Sequence, residues 1–153
     1  MRRHLALEAI PEQVRTWAQH LGLDLKIRFE DSGDPEMFPN RLVLEGPDAH
    51  LFAANRGAAL DALQHLLHEA QGEREEARLV YLDAMGQRLF RMREMTAMAE
   101  FAARKAQESG SYTFKSLTPR ERRWIHLAIA RQPGLESVSE GTGTMKSLRV
   151  ARK

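Results

Sequence analysis

Cysteine is absent from all 153 residues. That removes a disulfide scaffold, a thiolate zinc site, an iron–sulfur cluster and a cysteine nucleophile, and it points to a reducing compartment. Long apolar runs are also missing. No stretch approaches the ~20 apolar residues that span a bilayer, so membrane insertion is not expected. The first residues, Met1-Arg-Arg-His-Leu-Ala-Leu-Glu8, carry two arginines but no apolar h-region, so no secretory signal is expected and a cytoplasmic protein is. Aromatic residues make up 7%. In the C-terminal part they are Tyr112, Phe114 and Trp124, too few to stack many bases. What is present is globular in composition, with 42% hydrophobic and 29% charged residues, which argues against disorder. The length has room for one ordinary domain or two very small ones.

The net charge of +2 hides an asymmetry. Residues 1–110 hold 14 Lys+Arg against 18 Asp+Glu, whereas residues 111–153 hold 9 against 3. A basic segment on a mildly acidic one suits an anionic partner for the C-terminal part, or a solubilising tail with no ligand.

Hydrophobic periodicity gives the element order. Ile10, Val14, Trp17, Ala18 and Leu21 mark one face of a helix that Gly22 ends. Leu23–Phe29 alternates apolar and charged residues as a half-buried strand, and Arg41–Glu45 is a second strand after a turn-rich stretch. Gly46-Pro-Asp48 leads into a short helical turn, then a helix over 58–69 with Leu60, Leu63, Leu66 and Leu67 at helical spacing. A charged loop, Gly72-Glu-Arg-Glu-Glu76, precedes a third strand over 78–83. Met85–Glu108 is rich in good helix formers, and its Met85, Leu89, Met92 and Met95 stripe reads as core packing. Ser109-Gly110-Ser111 is the boundary. Beyond it come a strand near 112–115, a helix over 119–131, and strands near 136–139 and 147–151. The fold class is α+β, ordered α-β-β-α-α-β, a long helix, then β-α-β-β.

The helix over 119–131 carries the chemistry. Thr118-Pro-Arg-Glu121 supplies an N-cap, a first-turn proline and a capping-box glutamate. On a helical wheel Arg122, His126 and Arg123 share an arc of ~100°, with Trp124, Ile125, Ala128 and Ile129 mainly opposite as the buried face. Arg122 and His126, at i and i+4, stack one above the other. A guanidinium fork beside a helix N-terminus matches phosphate oxygens. The alternative is a solvated face with Arg122 paired to a local carboxylate.

Thr118-Pro-Arg-Glu-Arg-Arg-Trp-Ile-His126 resembles the signature of the R3H domain, an arginine and a histidine separated by three residues on a helix. Pro133–Gly143 and Leu148-Arg-Val150 resemble the strand-turn-strand that closes that domain. The order α-β-β-α-α-β, the segment Gly46–Gln64, and a strand ending in Asp83 before a long Arg-rich helix resemble the type II KH unit of the bacterial KH–R3H (Jag-type, SpoIIIJ-associated) proteins. An additional N-terminal domain found in many of those proteins is expected to have no counterpart here. The resemblance implies a KH-like domain over 1–83, a connecting long helix over 84–110 and an R3H domain over 111–153.

It also implies binding of single-stranded RNA or DNA, RNA being favoured. Arg122 and His126 would contact phosphate, and Arg123, Arg120 and Lys115 would supply flanking charge. The KH clamp, a Gly-x-x-Gly loop, here reads Ala54-Asn55-Arg56-Gly57. Alanine adds a Cβ where backbone meets phosphate and resists φ > 0, so the expectation is a preserved fold with weakened clamping. Asn55 and Arg56 remain as its contact residues. The competing class is an adaptor whose KH-like unit docks a partner protein.

Enzymatic readings fare poorly. His65, His68 and Glu69 lack the spacing of a metalloprotease helix, and Gly141-Thr-Gly143 is too short for a phosphate loop. No catalysis, metal or cofactor is expected.

Overall fold

The computed structural model describes residues 2–72 and 79–153, with side chains from Leu7 onward. The charged loop expected at 72–76 therefore lies, beyond Gly72, outside the described residues. The chain divides into two compact units, Met1–Leu89 and Phe90–Lys153. Among the described residues are four α-helices and two three-stranded sheets, a mixed α+β architecture.

The N-terminal unit holds α1 (Arg2–His20), β1 (Lys26–Phe29), β2 (Arg41–Glu45), α2 (His50–Gln71) and β3 (Tyr81–Ala84). The sheet order is β1-β2-β3, with β1 antiparallel and β3 parallel to β2. A parallel neighbour needs a crossover, and α2 supplies it. Ile10 and Val14 of α1, Ile27, Leu42 and Leu44, Phe52, Leu60 and Leu67 of α2, and Leu82 and Ala84 form one core. Alternation puts Arg41, Val43 and Asp83 on the other sheet face. Three residues expected to face the core, Leu21, Leu66 and Met85, are exposed instead. Leu21 follows the last residue of α1, and Met85 precedes the next helix with φ 54°, so the periodicity that placed them does not reach them.

Helix α2 is two arms, over 50–53 and 58–71, with non-helical residues between. Asp83, at the end of β3, is fully buried. It accepts from the amides of Ala84 (2.9 Å), Arg88 (2.8 Å) and Leu89 (3.2 Å) and from Arg41 Nε (2.9 Å). The last two of these amides open α3 (Gln87–Ser109), whose first N–H groups have no intrahelical acceptor.

The C-terminal unit holds the rest of α3, then β4 (Ser111–Leu117), α4 (Pro119–Ala130), β5 (Leu135–Glu140) and β6 (Lys146–Arg152). Its antiparallel sheet runs β4-β6-β5. One face, through Phe114, Leu148, Val150 and Leu135, packs with Trp124, Ile125 and Ile129 of α4 and the Met92, Met95, Ala99 and Ala102 stripe of α3 in the buried core. Tyr112 meets Phe101 of α3 edge-on, with ring centroids 5.5 Å apart. Strand β4 bulges between Phe114 and Leu117, where Ser116 has φ 53°.

Candidate nucleic-acid interface

Helix α4 starts as its sequence dictates. Thr118 Oγ1 accepts from the Glu121 amide (3.2 Å), and Glu121 Oε2 accepts from the Thr118 amide (2.9 Å). The other oxygen of Glu121 accepts from Arg91 Nε and Nη2 at 3.0 and 2.9 Å. The capping carboxylate is thus neutralised twice, by the helix N-terminus and by a guanidinium on α3.

Arg122 departs from the expected exposed arc. It is buried, with 8% of its surface accessible. Its Nη1 donates to the carbonyl of Leu117, at the end of β4 (2.5 Å), and to that of Thr144, in the β5–β6 hairpin (2.7 Å). The wheel locates the side chain correctly relative to Trp124 but carries no knowledge of the strand end and loop that close over it. A buried guanidinium needs acceptors, and two backbone carbonyls provide them.

His126 is half-buried one turn further on. Its Nδ1 lies 2.6 Å from Ser137 Oγ and its Nε2 2.9 Å from Ser139 Oγ, both on β5. Burial first, and then the positive charge of Arg122, hold the imidazole below its ordinary pKa of 6.5. At neutral pH it is an uncharged ring, one nitrogen donating to a serine and the other accepting from one. In the unbound protein the ring thus makes neutral polar contacts to β5. The Ser-Val-Ser alternation of β5 is the sequence signal for this partnership, since i and i+2 residues of a strand share a face.

Of the flanking cations, Lys115 is exposed in the β4 bulge, and Arg120 and Arg123 are half-buried on α4. The same pleat that turns Ser137 and Ser139 toward His126 turns Glu136, Val138 and Glu140 to the opposite face. Residues 111–153 contain no acidic side chains other than Glu121, Glu136 and Glu140. Arg149, exposed on β6, pairs with Val138 and so shares the face of Glu136 and Glu140.

In the other unit, Asn55 and Arg56 are exposed on the interruption of α2. Asn55, Arg56 and Gly57 adopt positive φ of 53°, 57° and 77°, whereas Ala54 has φ −63° and ψ 154°. The expected strain at Ala54 is absent, because this position is extended rather than left-handed. The glycine that matters is Gly57. A Cβ there would lie 2.7 Å from both Arg88 Nη2 and Gln87 Oε1. Arg88 Nη2 also donates to the Gly57 carbonyl (3.1 Å) and to Asp61 Oδ1 (2.5 Å), bracing the base of the loop. Holding Arg56 left-handed costs ~1–2 kcal/mol. Such strain collects where a backbone shape is needed for function.

His68 contacts Gln64, which bridges to Val80 and Leu82 of the strand region, so this histidine is built into the fold. Among the described residues no cluster of three His, Asp or Glu could hold a metal ion. No helix among them is long and apolar enough to cross a membrane. No curated protein is significantly similar to the chain. The segment that builds the Arg122–His126 face does have a relative: residues 93–152 match the family model of the R3H domain, generally a single-stranded nucleic-acid-binding module.

Proposed function

We propose that this chain is a non-enzymatic KH–R3H protein of the Jag type that binds single-stranded RNA, mainly through the α4 side of its R3H unit. The observation that carries the reading is the segregation of charge. Arg120 and Arg123 accompany Arg122 on α4, while Glu136 and Glu140, with Arg149 between them, point from the opposite sheet face and Glu121 is consumed by Arg91 and the helix N-terminus. A polyanion gains from one face and is repelled from the other.

The N-terminal unit is read as KH-like on three features together. They are the α-β-β-α-α-β order, the parallel β2–β3 pair, and the exposed left-handed turn at 54–57 between two helical arms. Ala54 is extended and unstrained, and Asn55 and Arg56 stay exposed on the turn, which supports reading it as a reduced clamp. The acidic charge of this unit keeps the contact through Asn55 and Arg56 secondary. RNA is favoured over DNA because the half-buried hydroxyls of Ser137 and Ser139 keep hydrogen-bonding capacity beyond their bonds to His126, and a 2′-hydroxyl can both donate to and accept from them.

Fluorescence anisotropy with unrelated single-stranded RNAs and their DNA counterparts tests this. Lys115→Ala and Arg123→Ala should weaken all strands alike, since phosphate contacts carry no base information. Each lost contact should lower the magnitude of the slope of log K against log salt by about 0.7. Arg56→Ala should cost less than tenfold. A folded protein that binds no single strand, or whose affinity ignores both Lys115→Ala and Arg123→Ala, would overturn the reading in favour of a protein-docking adaptor.

A further inference from the structure

We infer that Arg122 serves strand binding as a positioning residue: it fixes the β5–β6 hairpin loop, residues 141–145, and that loop makes the phosphate contact. The inference rests on the R3H reading and assigns a role within that site. Nη1 spends both hydrogens on backbone carbonyls, those of Leu117 and Thr144. For Nη1 itself to take a phosphate oxygen, one of these carbonyls would have to be displaced inside a buried environment.

The two carbonyls belong to segments that need holding. The last ladder pair of the hairpin is Glu140↔Ser147, so the backbone from Gly141 to Met145 is outside the ladder and exposed. Gly141 and Gly143 sit at φ 119° and 79°, and nothing lies within 4 Å of a Cβ built at Gly143. A loop of two glycines and two threonines has many shapes open to it, and ordering it on a ligand would cost affinity. The Arg122–Thr144 bond fixes it beforehand. Its exposed amides and the Thr142 and Thr144 hydroxyls are the kind of donors that hold phosphate without reading bases. At the other carbonyl, Leu117 follows Ser116, a non-glycine residue at φ 53° in the bulge that carries exposed Lys115. One buried cation thereby ties two exposed elements, the bulge and the loop, to the start of α4.

The test is a double-mutant cycle on the full chain, read by RNA affinity, with amide hydrogen exchange of residues 141–145 as a second measurement. Arg122→Met removes the anchor and the charge. Gly143→Ala leaves Arg122 in place and reshapes the exposed loop, where the added Cβ meets no neighbour but the positive φ is strained. Each is expected to weaken binding about tenfold, and the pair together about tenfold rather than the hundredfold of independent contacts. Exchange at 141–145 should quicken in Arg122→Met. If Arg122→Met fails to fold, Gly143→Ala still decides, since unchanged affinity there overturns the inference. Additive losses, or a loss in Arg122→Met with the loop as protected as before, would make Arg122 a direct contact and also overturn it. These outcomes leave the R3H reading standing as long as Lys115→Ala and Arg123→Ala weaken binding. Its own failure shows separately, as a wild-type chain that binds no single strand.

Discussion

Replacing His126 with alanine separates a charged from a neutral role for this residue. The substitution removes hydrogen bonds of 2.6 and 2.9 Å to Ser137 and Ser139. Each neutral bond contributes on the order of 1 kcal/mol net, and the half-exposed serines can turn to water, so the loss should be about 1–2 kcal/mol. For a unit of 60–100 residues that lowers Tm by roughly 5–15 °C. The pH dependence carries the sharper information. The imidazole is held below its ordinary pKa of 6.5 by burial and by Arg122, so the folded state resists a proton that the unfolded chain accepts. Above pH 7.5 both states are neutral and the full stabilisation is present. As pH falls through 6.5 the unfolded state gains protons first, and wild-type stability declines until the folded ring also titrates. Alanine has no such loss, so the stability gap between wild type and variant should narrow from pH 7.5 to 5.5. Arg122 on its own helix and the two serines on β5 face the ring. His126 is the sole histidine of residues 90–153, so the imidazole NMR signal missing from the variant assigns its titration directly. A midpoint at or above 6.5 in the unbound protein, or a gap that widens on acidification, would refute the reasoning.

Three further expectations concern the N-terminal unit. Gly57→Ala should cost about 2 kcal/mol in denaturant unfolding, from a positive φ and the displacement of Arg88; a neutral result would contradict the close packing. Ala54→Gly should destabilise by ~0.5–1 kcal/mol through added unfolded-state freedom and leave RNA affinity within twofold. Tenfold tighter binding would show instead that the Cβ at 54 obstructs the strand. Asp83→Ala should cost about 3–5 kcal/mol, because Arg41 and three amides lose a buried acceptor, and a shift of the urea midpoint measures it.

Much of the architecture is legible because it is written in local periodicity. The capping box at Thr118–Glu121 and the buried face of Trp124, Ile125, Ala128 and Ile129 come from spacing alone. So does the break in α2, since Gly57 is the one residue there that tolerates both the φ and the approach of Arg88. Contacts across large sequence separations are not legible in this way. Arg122 reads as exposed because the wheel sees one helix, whereas Thr144 arrives from 22 residues away. Asp83 reads as the end of a strand, although its carboxylate organises the start of α3 and pairs with Arg41, 42 residues earlier. Ala54 differs for another reason: the clamp pattern suggests φ > 0 at its first position, and the chain is extended there.

The division of carboxylates and cations between the two faces of the β4-β6-β5 sheet also bears on kinetics. The sheet face away from α4 holds Glu136 and Glu140 with Arg149, a net negative set, whereas α4 carries Arg120 and Arg123, so the unit has an electric dipole across its thickness. In the field of a phosphate chain such a dipole rotates before contact is made, so more encounters arrive with α4 foremost. Association should then be faster than for an unpolarised surface of the same net charge, and salt should slow it by screening the torque. Reversing Glu136 and Glu140 to lysine would raise the total positive charge yet weaken this alignment, and arrivals would be shared with the face that has no site.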